Sequence, residues 1–128
     1  MAYPADFNYT KEHEWLKVDG NTGTIGITDH AQNSLGDIVF VELPKVGADI
    51  IVGQTFGSVE SVKAVSDLYA PVSGKVVALN GDLDGKPELV NEDCFGKAWM
   101  IKIALSDAKA GDALMDVAAY TAHVKASG

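Results

Sequence analysis

Residues 57–67 read GSVESVKAVSD, with one lysine, Lys63, near the middle of the stretch. The runs on either side, residues 52–59 and 68–77, contain Val, Phe and Tyr and are predicted to be strands. A hairpin of two such strands would hold Lys63 in solvent on a rigid stem, where several enzymes could reach it in turn. The stretch lacks the Asn-Gly or Asp-Gly signal of a tight turn, and most exposed lysines have no special role. The rest of the chain must therefore decide what Lys63 does.

The remainder of the chain is predicted to be mainly β. Strands are predicted at residues 10–18, 22–27, 37–43, 75–80 and 99–105. Asp29, with Gln32 three residues later, has the pattern of a helix N-cap, and Gly36 is placed to end that short helix. A second helix is predicted over residues 112–124. No linker divides the sequence, so residues 1–128 are expected to form one domain.

The composition excludes several classes of function. The chain has 128 residues, 47% of them hydrophobic, and a formal net charge of -8. This acidic balance argues against a nucleic-acid or anionic membrane partner, and no apolar run approaches the ~20 residues of a membrane span. The only cysteine, Cys94, excludes an internal disulfide and intramolecular dithiol redox chemistry. No targeting pattern is seen at the N-terminus, so a cytoplasmic protein is expected, or a mitochondrial matrix protein if a transit peptide was removed.

The acidic residues near the N-terminus do not predict a metal site. Glu12, His13 and Glu14 are consecutive. On a strand, Glu12 and Glu14 would share one face while His13 points to the other. His30, in the first turn of the first predicted helix, and Trp15, within a predicted strand, are expected to have structural roles.

Several motifs follow one another at spacings typical of a known family. They are HEW (13–15), GITDHAQ (26–32), LGDIV (35–39), VELP (41–44), ESVKA (60–64), PELVNED (87–93) and WMIKI (99–103). Together they resemble the H protein of the glycine cleavage system, a lipoyl carrier, from about residue 9 to residue 124. The resemblance implies a mainly β fold, a barrel-sandwich hybrid of the lipoyl/biotinyl-carrier type, with short helices that include a C-terminal helix.

The resemblance implies that Lys63 carries lipoate in amide linkage. The dithiolane of lipoate supplies a two-electron redox couple that a chain with one cysteine lacks. The resemblance also implies that the lipoate-attaching enzyme recognises the hairpin through Glu60 and Gly74. Glu60 offers a fixed charge three residues before the lysine, and Gly74 permits a close backbone approach or a positive φ.

Three acidic residues match, or lie next to, positions where the family receives the loaded arm. Glu14 and Asp67 correspond to the acidic cleft in which the ammonium of the aminomethyl adduct meets carboxylates, and Glu12 is a weaker candidate. A desolvated ammonium needs a charged partner. Shielding the adduct would also slow its hydrolysis to ammonia and formaldehyde.

The resemblance implies a carrier and not an enzyme. Its arm would take an aminomethyl group from a pyridoxal-phosphate glycine decarboxylase and present it to a tetrahydrofolate-dependent aminomethyltransferase. An FAD- and NAD-dependent dihydrolipoyl dehydrogenase would then reoxidise the arm. A monomer is expected. Within this assignment the sequence departs from the family at Cys94, where proline is usual, and at Ala98, where glycine is usual. A free Cys94 thiol able to form mixed disulfides is a further hypothesis.

Three alternatives stay open. A biotin carrier would share the fold and the tip lysine, but that family flanks its lysine with methionines, and here Val62 and Ala64 flank Lys63. An enzyme using Lys63 as a Schiff base would need a desolvated amine, which a hairpin tip does not provide. A lipoyl-relay or regulatory homologue would keep the arm without glycine cleavage, although the presence of Glu14 and Asp67 argues against it.

Overall fold

The computed structural model describes residues 3–107 and 109–127. Nine strands lie in this part of the chain: Asn8–Tyr9 (β1), Glu14–Asp19 (β2), Thr22–Ile27 (β3), Ile38–Glu42 (β4), Asp49–Ile50 (β5), Thr55–Ser61 (β6), Val65–Tyr69 (β7), Gly74–Leu79 (β8) and Ile101–Leu105 (β9). The helices are Asp29–Leu35 (α1), Asp82–Gly85 (α2), Leu89–Glu92 (α3) and Val117–Ser127 (α4), with a 3-10 turn at Ala110–Ala113. None of the described helices is both long and apolar enough to cross a membrane.

The strands form two antiparallel sheets. One has the order β1-β2-β3-β9-β8-β5, and the other has the order β4-β6-β7. Their inner faces meet in one large apolar core, represented by Leu16, Ile25, Val59 and Ile103, each fully buried. Burying one such aliphatic side chain contributes about 1.5–3 kcal/mol, so this core accounts for much of the stability of the two-sheet arrangement.

A second, aromatic core joins the C-terminal helix to the larger sheet. Phe7, Tyr9, Trp15 and Tyr120 are buried together. The rings of Tyr9 and Tyr120 stack with centroids 4.6 Å apart, and the backbones of Tyr9 and Met115 exchange hydrogen bonds of 2.8 and 3.0 Å. Tyr120 therefore anchors α4 against β1, and the predicted mainly β fold with a terminal helix is confirmed.

The strand predicted at residues 10–18 starts later in the structure, as β2. Residues 11–13 form a turn and β2 begins at Glu14, because the Thr10 hydroxyl accepts a hydrogen bond from the backbone N–H of Glu14 at 3.1 Å. His13 takes a φ of 70°, which is uncommon for a residue other than glycine. The predicted alternation of Glu12, His13 and Glu14 along a strand is therefore wrong.

Both predicted helix starts are displaced by better capping residues. Thr28, not Asp29, is the N-cap of α1, and its hydroxyl accepts from the N–H of Ala31 at 3.3 Å. The last helix begins at Val117 instead of residue 112, because the Asp116 carboxylate accepts from the N–H of Ala119 at 2.8 Å. The predicted end of α1 at Gly36 is confirmed, since the Gly36 N–H donates to the carbonyl of Gln32.

Two strand predictions also change. The run predicted at residues 68–77 divides at Pro71 into the end of β7 and the start of β8, which belong to different sheets. The strand predicted from residue 99 begins at Ile101. Met100, near the start of the predicted strand, is fully buried and lies before the observed one.

Candidate functional site

The β6–β7 hairpin places Lys63 at its tip. Glu60 pairs with Val65, and beyond this pair the N–H of Ser61 donates to the carbonyl of Ala64 at 2.8 Å. The buried Ser61 hydroxyl accepts from the N–H groups of both Lys63 and Ala64, each at 3.2 Å. A serine side chain thus closes the turn, which explains why no Asn-Gly signal was needed. Serine as a turn residue was the available sequence signal for this closure.

The tip rests on the segment that joins α1 to β4. The N–H of Val62 donates to the carbonyl of Asp37 at 3.0 Å. The methylene stem of Lys63 runs alongside Gly36. A Cβ placed on Gly36 would lie 3.3 Å from Cε and 3.8 Å from Nζ of Lys63. Lys63 itself is exposed, so its amine is accessible while its stem is guided by the protein surface.

Glu60 and Asp67 lie on the outer face of the smaller sheet. Both are exposed, and both alternate along their strands with residues that face the core, Val59 and Leu68. Residues paired across strands share a face, so Glu60 lies beside Val65, its partner on β7. The two carboxylates therefore form part of the surface that leads to Lys63.

Gly74 is not part of the hairpin. It begins β8 in the larger sheet, and a Cβ there would lie 2.5 Å from the carbonyl oxygen of Ala104 and 3.0 Å from Cδ1 of Ile103. Its φ is not among the positive values found in the structure, so the suggested positive φ is wrong. The close backbone approach that needs glycine here is to β9 of the same chain.

Alanine at position 74 is expected to destabilise the fold by about 1–3 kcal/mol, because backbone must move to accept the methyl group. Gly81→Ala is the matched control, since nothing lies within 4 Å of a Cβ at that position. Urea unfolding of both variants measures the difference. Equal stability of the two would contradict the steric reason given for Gly74.

Glu14 is buried, with only 2% of its surface exposed. The Thr10 hydroxyl donates to its Oε1 at 2.6 Å, and the N–H of Tyr69 donates to its Oε2 at 3.3 Å. Burial raises the pKa of Glu14 from 4.5 to about 7, although the bonds from Thr10 and Tyr69 lower it and the neighbouring Glu12 raises it further. Glu14 is thus an enclosed carboxyl beneath the end of β7, whereas Glu12 is exposed on the turn before it.

A family model described as Glycine cleavage H-protein matches residues 7–127. This chain belongs to the glycine cleavage H-protein family. The resemblance predicted from its motifs is confirmed. The family model begins before HEW and extends beyond WMIKI, so it includes every motif on which that prediction depended.

Relatives and a solved structure agree with the family. A glycine cleavage system H protein from Acidobacterium capsulatum is 64% identical over 125 residues, which are 98% of this chain and 96% of that protein. One from Koribacter versatilis is 65% identical over 120 residues, covering 94% and 92%. The crystal structure of a glycine cleavage system H protein from Mycobacterium marinum matches with a TM-score of 0.87 at 34% identity, covering 94% of this chain and 97% of that one.

In this member of the H-protein family, Cys94 is enclosed. The side chain is 4% exposed, and burial raises the pKa of its thiol to about 12. Its backbone carbonyl accepts a hydrogen bond from the Trp15 indole at 3.0 Å. Thiol reactivity requires both access and thiolate, so the burial of Cys94 argues against the hypothesis of a thiol ready to form mixed disulfides in the folded protein.

Three histidines lie together in the structure, and the sequence patterns did not predict this cluster. His13 lies between His30 and His123, with ring centroids 4.5 and 5.5 Å away, and its Nδ1 is 2.8 Å from the hydroxyl of Tyr120. Burial and the two neighbouring imidazoles lower the pKa of His13 to about 4. Within residues 3–107 and 109–127, no group of His, Cys, Asp or Glu is arranged to hold a metal ion. The cluster fastens α4 to the turn before β2, and the long sequence separation hides it from local patterns.

Proposed function

We propose that this chain is the lipoyl carrier of the glycine cleavage system, with lipoate attached to Nζ of Lys63. The observation that carries the proposal is an exposed lysine, closed into a hairpin tip by the Ser61 hydroxyl, in a chain of this family. The site fits an amide-linked group, because the amine is exposed and the residue beside the stem, Gly36, has no side chain to obstruct it.

The chain works as one carrier domain and catalyses no reaction itself. When bound, lipoate would supply a dithiolane whose S–S bond opens on two-electron reduction, so that one sulfur can carry an aminomethyl group and the other becomes a thiol. The chain's own residues position that arm: Ser61 fixes the tip, and Lys63 provides the nitrogen for the amide. During attachment, Nζ loses a proton as it bonds to a lipoyl carboxyl that the attaching enzyme has activated, and the activating group leaves.

Four enzymes use this site in the proposal. The lipoate-attaching enzyme recognises the hairpin through Glu60 and depends on Gly74 for the shape of the neighbouring sheet. The glycine decarboxylase, the aminomethyltransferase and the dihydrolipoyl dehydrogenase then act on the arm in turn. Phe40, Val62 and Val65 are 49%, 68% and 65% exposed near Lys63, and such apolar surface is typical of docking sites. In this proposal the protein is a monomer and works in the cytoplasm.

The acidic residues are assigned to the loaded arm. Asp67 offers an exposed carboxylate on the hairpin, and Glu14 offers a buried one beneath the end of β7. Because the pKa of Glu14 is about 7, an approaching ammonium would favour its ionised form and gain a charge-assisted hydrogen bond. Glu12 contributes negative charge from the adjoining turn. Together they would hold the ammonium and exclude water from the adduct.

Co-expression with a lipoate-attaching enzyme and lipoate is expected to add one lipoyl mass to the chain, with peptide mapping placing it on Lys63. Supplying biotin and a biotin-attaching enzyme in parallel tests the biotin alternative, and no mass is expected there. An unmodified Lys63 in the lipoate arm would refute the proposal. Glycine–bicarbonate exchange with glycine decarboxylase then separates the two lipoyl proteins. A glycine cleavage carrier supports the exchange when it is lipoylated, and a lipoyl-relay protein does not.

A further inference from the structure

The lysine tip is supported by a ledge that another part of the chain holds in place. We define the ledge as residues 36–38, which run from the end of α1 into the first residue of β4. Gly36 borders the Lys63 stem, and the carbonyl of Asp37 accepts the N–H of Val62 at 3.0 Å. Gly36 has a φ of 82° and a ψ of -154°, a conformation that residues with a side chain rarely adopt. Because glycine can also adopt many other conformations, bonds from elsewhere in the chain are what can hold the ledge in this one.

Asn91, in α3, supplies that support. Its Nδ2 donates to the carbonyl of Gly36 at 2.8 Å and to Oε1 of Gln32 at 2.9 Å, while its Oδ1 accepts from the N–H of Ile38 at 2.8 Å. The side-chain amide of Asn91 thus forms hydrogen bonds with the backbone of the ledge on both sides of Asp37. Only a side chain with both donors and an acceptor can make this set of bonds.

The support is itself anchored. Gln32 is 7% exposed in α1, and its Nε2 donates to Oδ1 of Asp29 at 2.9 Å. The hydrogen bonds therefore run from α1 through Asn91 to the ledge, and from the ledge to the hairpin tip. Ordered networks of this kind hold a group in one orientation more firmly than any single bond.

We propose that Asn91 is a positioning residue for Lys63: it fixes the ledge, and the ledge fixes the direction in which the lysine tip presents its amine. This inference rests on the proposed function, in which Lys63 is acylated and its arm must return to the same protein surface. Without Asn91 the Gly36 and Ile38 backbone groups lose their partners, the Asp37 carbonyl is free to turn, and the tip loses its contact with the body of the protein.

The chain contains a matched control. Asn80 makes the same number and kind of bonds: its Nδ2 donates to the carbonyls of Lys97 and Trp99, both at 2.7 Å, and its Oδ1 accepts from the N–H of Asp82 at 3.2 Å. Asn80 is buried, with 5% exposed, whereas Asn91 is partly buried. Its bonds support the segment before β9 and do not reach the ledge, so Asn80→Ala reproduces the loss of an amide without the loss of support for Lys63.

Lipoylation kinetics test the proposal. With a lipoate-attaching enzyme and the full chain as substrate, Asn91→Ala is expected to lower kcat about tenfold with little change in KM, since a misplaced nucleophile loses rate more than docking. Asn80→Ala is expected to stay within about twofold of the wild type. Asn91→Asp keeps the size and the acceptor but loses both donors, so it should resemble Asn91→Ala. Equal rates for the Asn91 and Asn80 variants, or a wild-type rate for Asn91→Asp, would overturn the proposal.

Amide hydrogen exchange gives a readout that does not depend on lipoylation. In Asn91→Ala and Asn91→Asp, the Val62 amide should exchange at least about tenfold faster relative to that of Val59 on the same hairpin. In Asn80→Ala the ratio should stay as in the wild type. Unchanged relative protection of Val62 would contradict the role of Asn91. A wild-type chain that takes no lipoyl group would refute the proposed function, and this exchange ratio would still decide what Asn91 does.

Discussion

Lys63→Arg is expected to reduce glycine–bicarbonate exchange to the level measured without carrier, in a system reconstituted with glycine decarboxylase and carrier that has been treated with the lipoate-attaching enzyme and lipoate. Arginine keeps the charge and most of the length of the side chain. It provides no primary amine for the lipoyl amide, so the arm and its redox couple are lost together. Lys63 is exposed, and the stability of the fold should therefore change by no more than about 0.5 kcal/mol.

Lys75→Arg controls for the substitution itself. Lys75 is also exposed and lies on β8, away from the hairpin tip. This variant should be lipoylated and should support exchange as the wild type does. Circular dichroism and thermal unfolding check that both variants fold. Exchange retained by Lys63→Arg would mean that the arm is attached elsewhere or is not required.

Glu14→Gln is expected to change how stability depends on pH. The raised pKa of Glu14, about 7 against 4.5, means that the folded protein binds a proton which the unfolded chain has already released. The contribution of this proton to the free energy of unfolding has its full value below about pH 4.5 and is lost as the pH rises through 7. Between pH 4.5 and 8, the wild type should therefore lose on the order of 3 kcal/mol relative to the variant.

The comparison between variant and wild type isolates Glu14 from an opposing group. His13, with its pKa lowered to about 4, adds stability that is present above about pH 6.5 and is lost as the pH falls through 4. This contribution is common to both proteins and cancels in the difference. Denaturant unfolding from pH 4.5 to 8 gives the measurement, with Glu88→Gln as a control that removes an exposed charge away from Glu14. A difference between wild type and Glu14→Gln that stays constant with pH would show that Glu14 has an ordinary pKa.

Local sequence patterns predicted the bounds of a strand or helix best where residues within or next to that element set those bounds. The strand Thr22–Ile27 was predicted with its observed bounds, because the turn residues Asp19, Gly20 and Asn21 stand directly before it and act locally. The predictions failed where a capping side chain or a distant partner decided the boundary. Thr10 ended the extended run before Glu14, and Asp116 started α4 in place of residue 112.

The site shows the same division. The motifs placed Lys63, Glu60 and Asp67 on one hairpin, since these residues are close in sequence and a hairpin keeps them close in space. They could not show that Glu14 is enclosed, because its burial depends on the N–H of Tyr69 from the other sheet. The role of Glu14 towards the arm stays a prediction.

The sequence by itself determined the family, the mainly β fold and the lysine at a hairpin between two strands, because motif order and strand patterning are properties of the local chain. The tertiary structure alone decided how that hairpin is held. Ser61 closes the tip through residues next to it in the chain, but Asn91, 55 positions from Gly36 in sequence, bonds the ledge beside the Lys63 stem. The hydrogen bonds of Asn91 join residues whose closeness in space no local pattern records. They form only when the two sheets and the helices pack together.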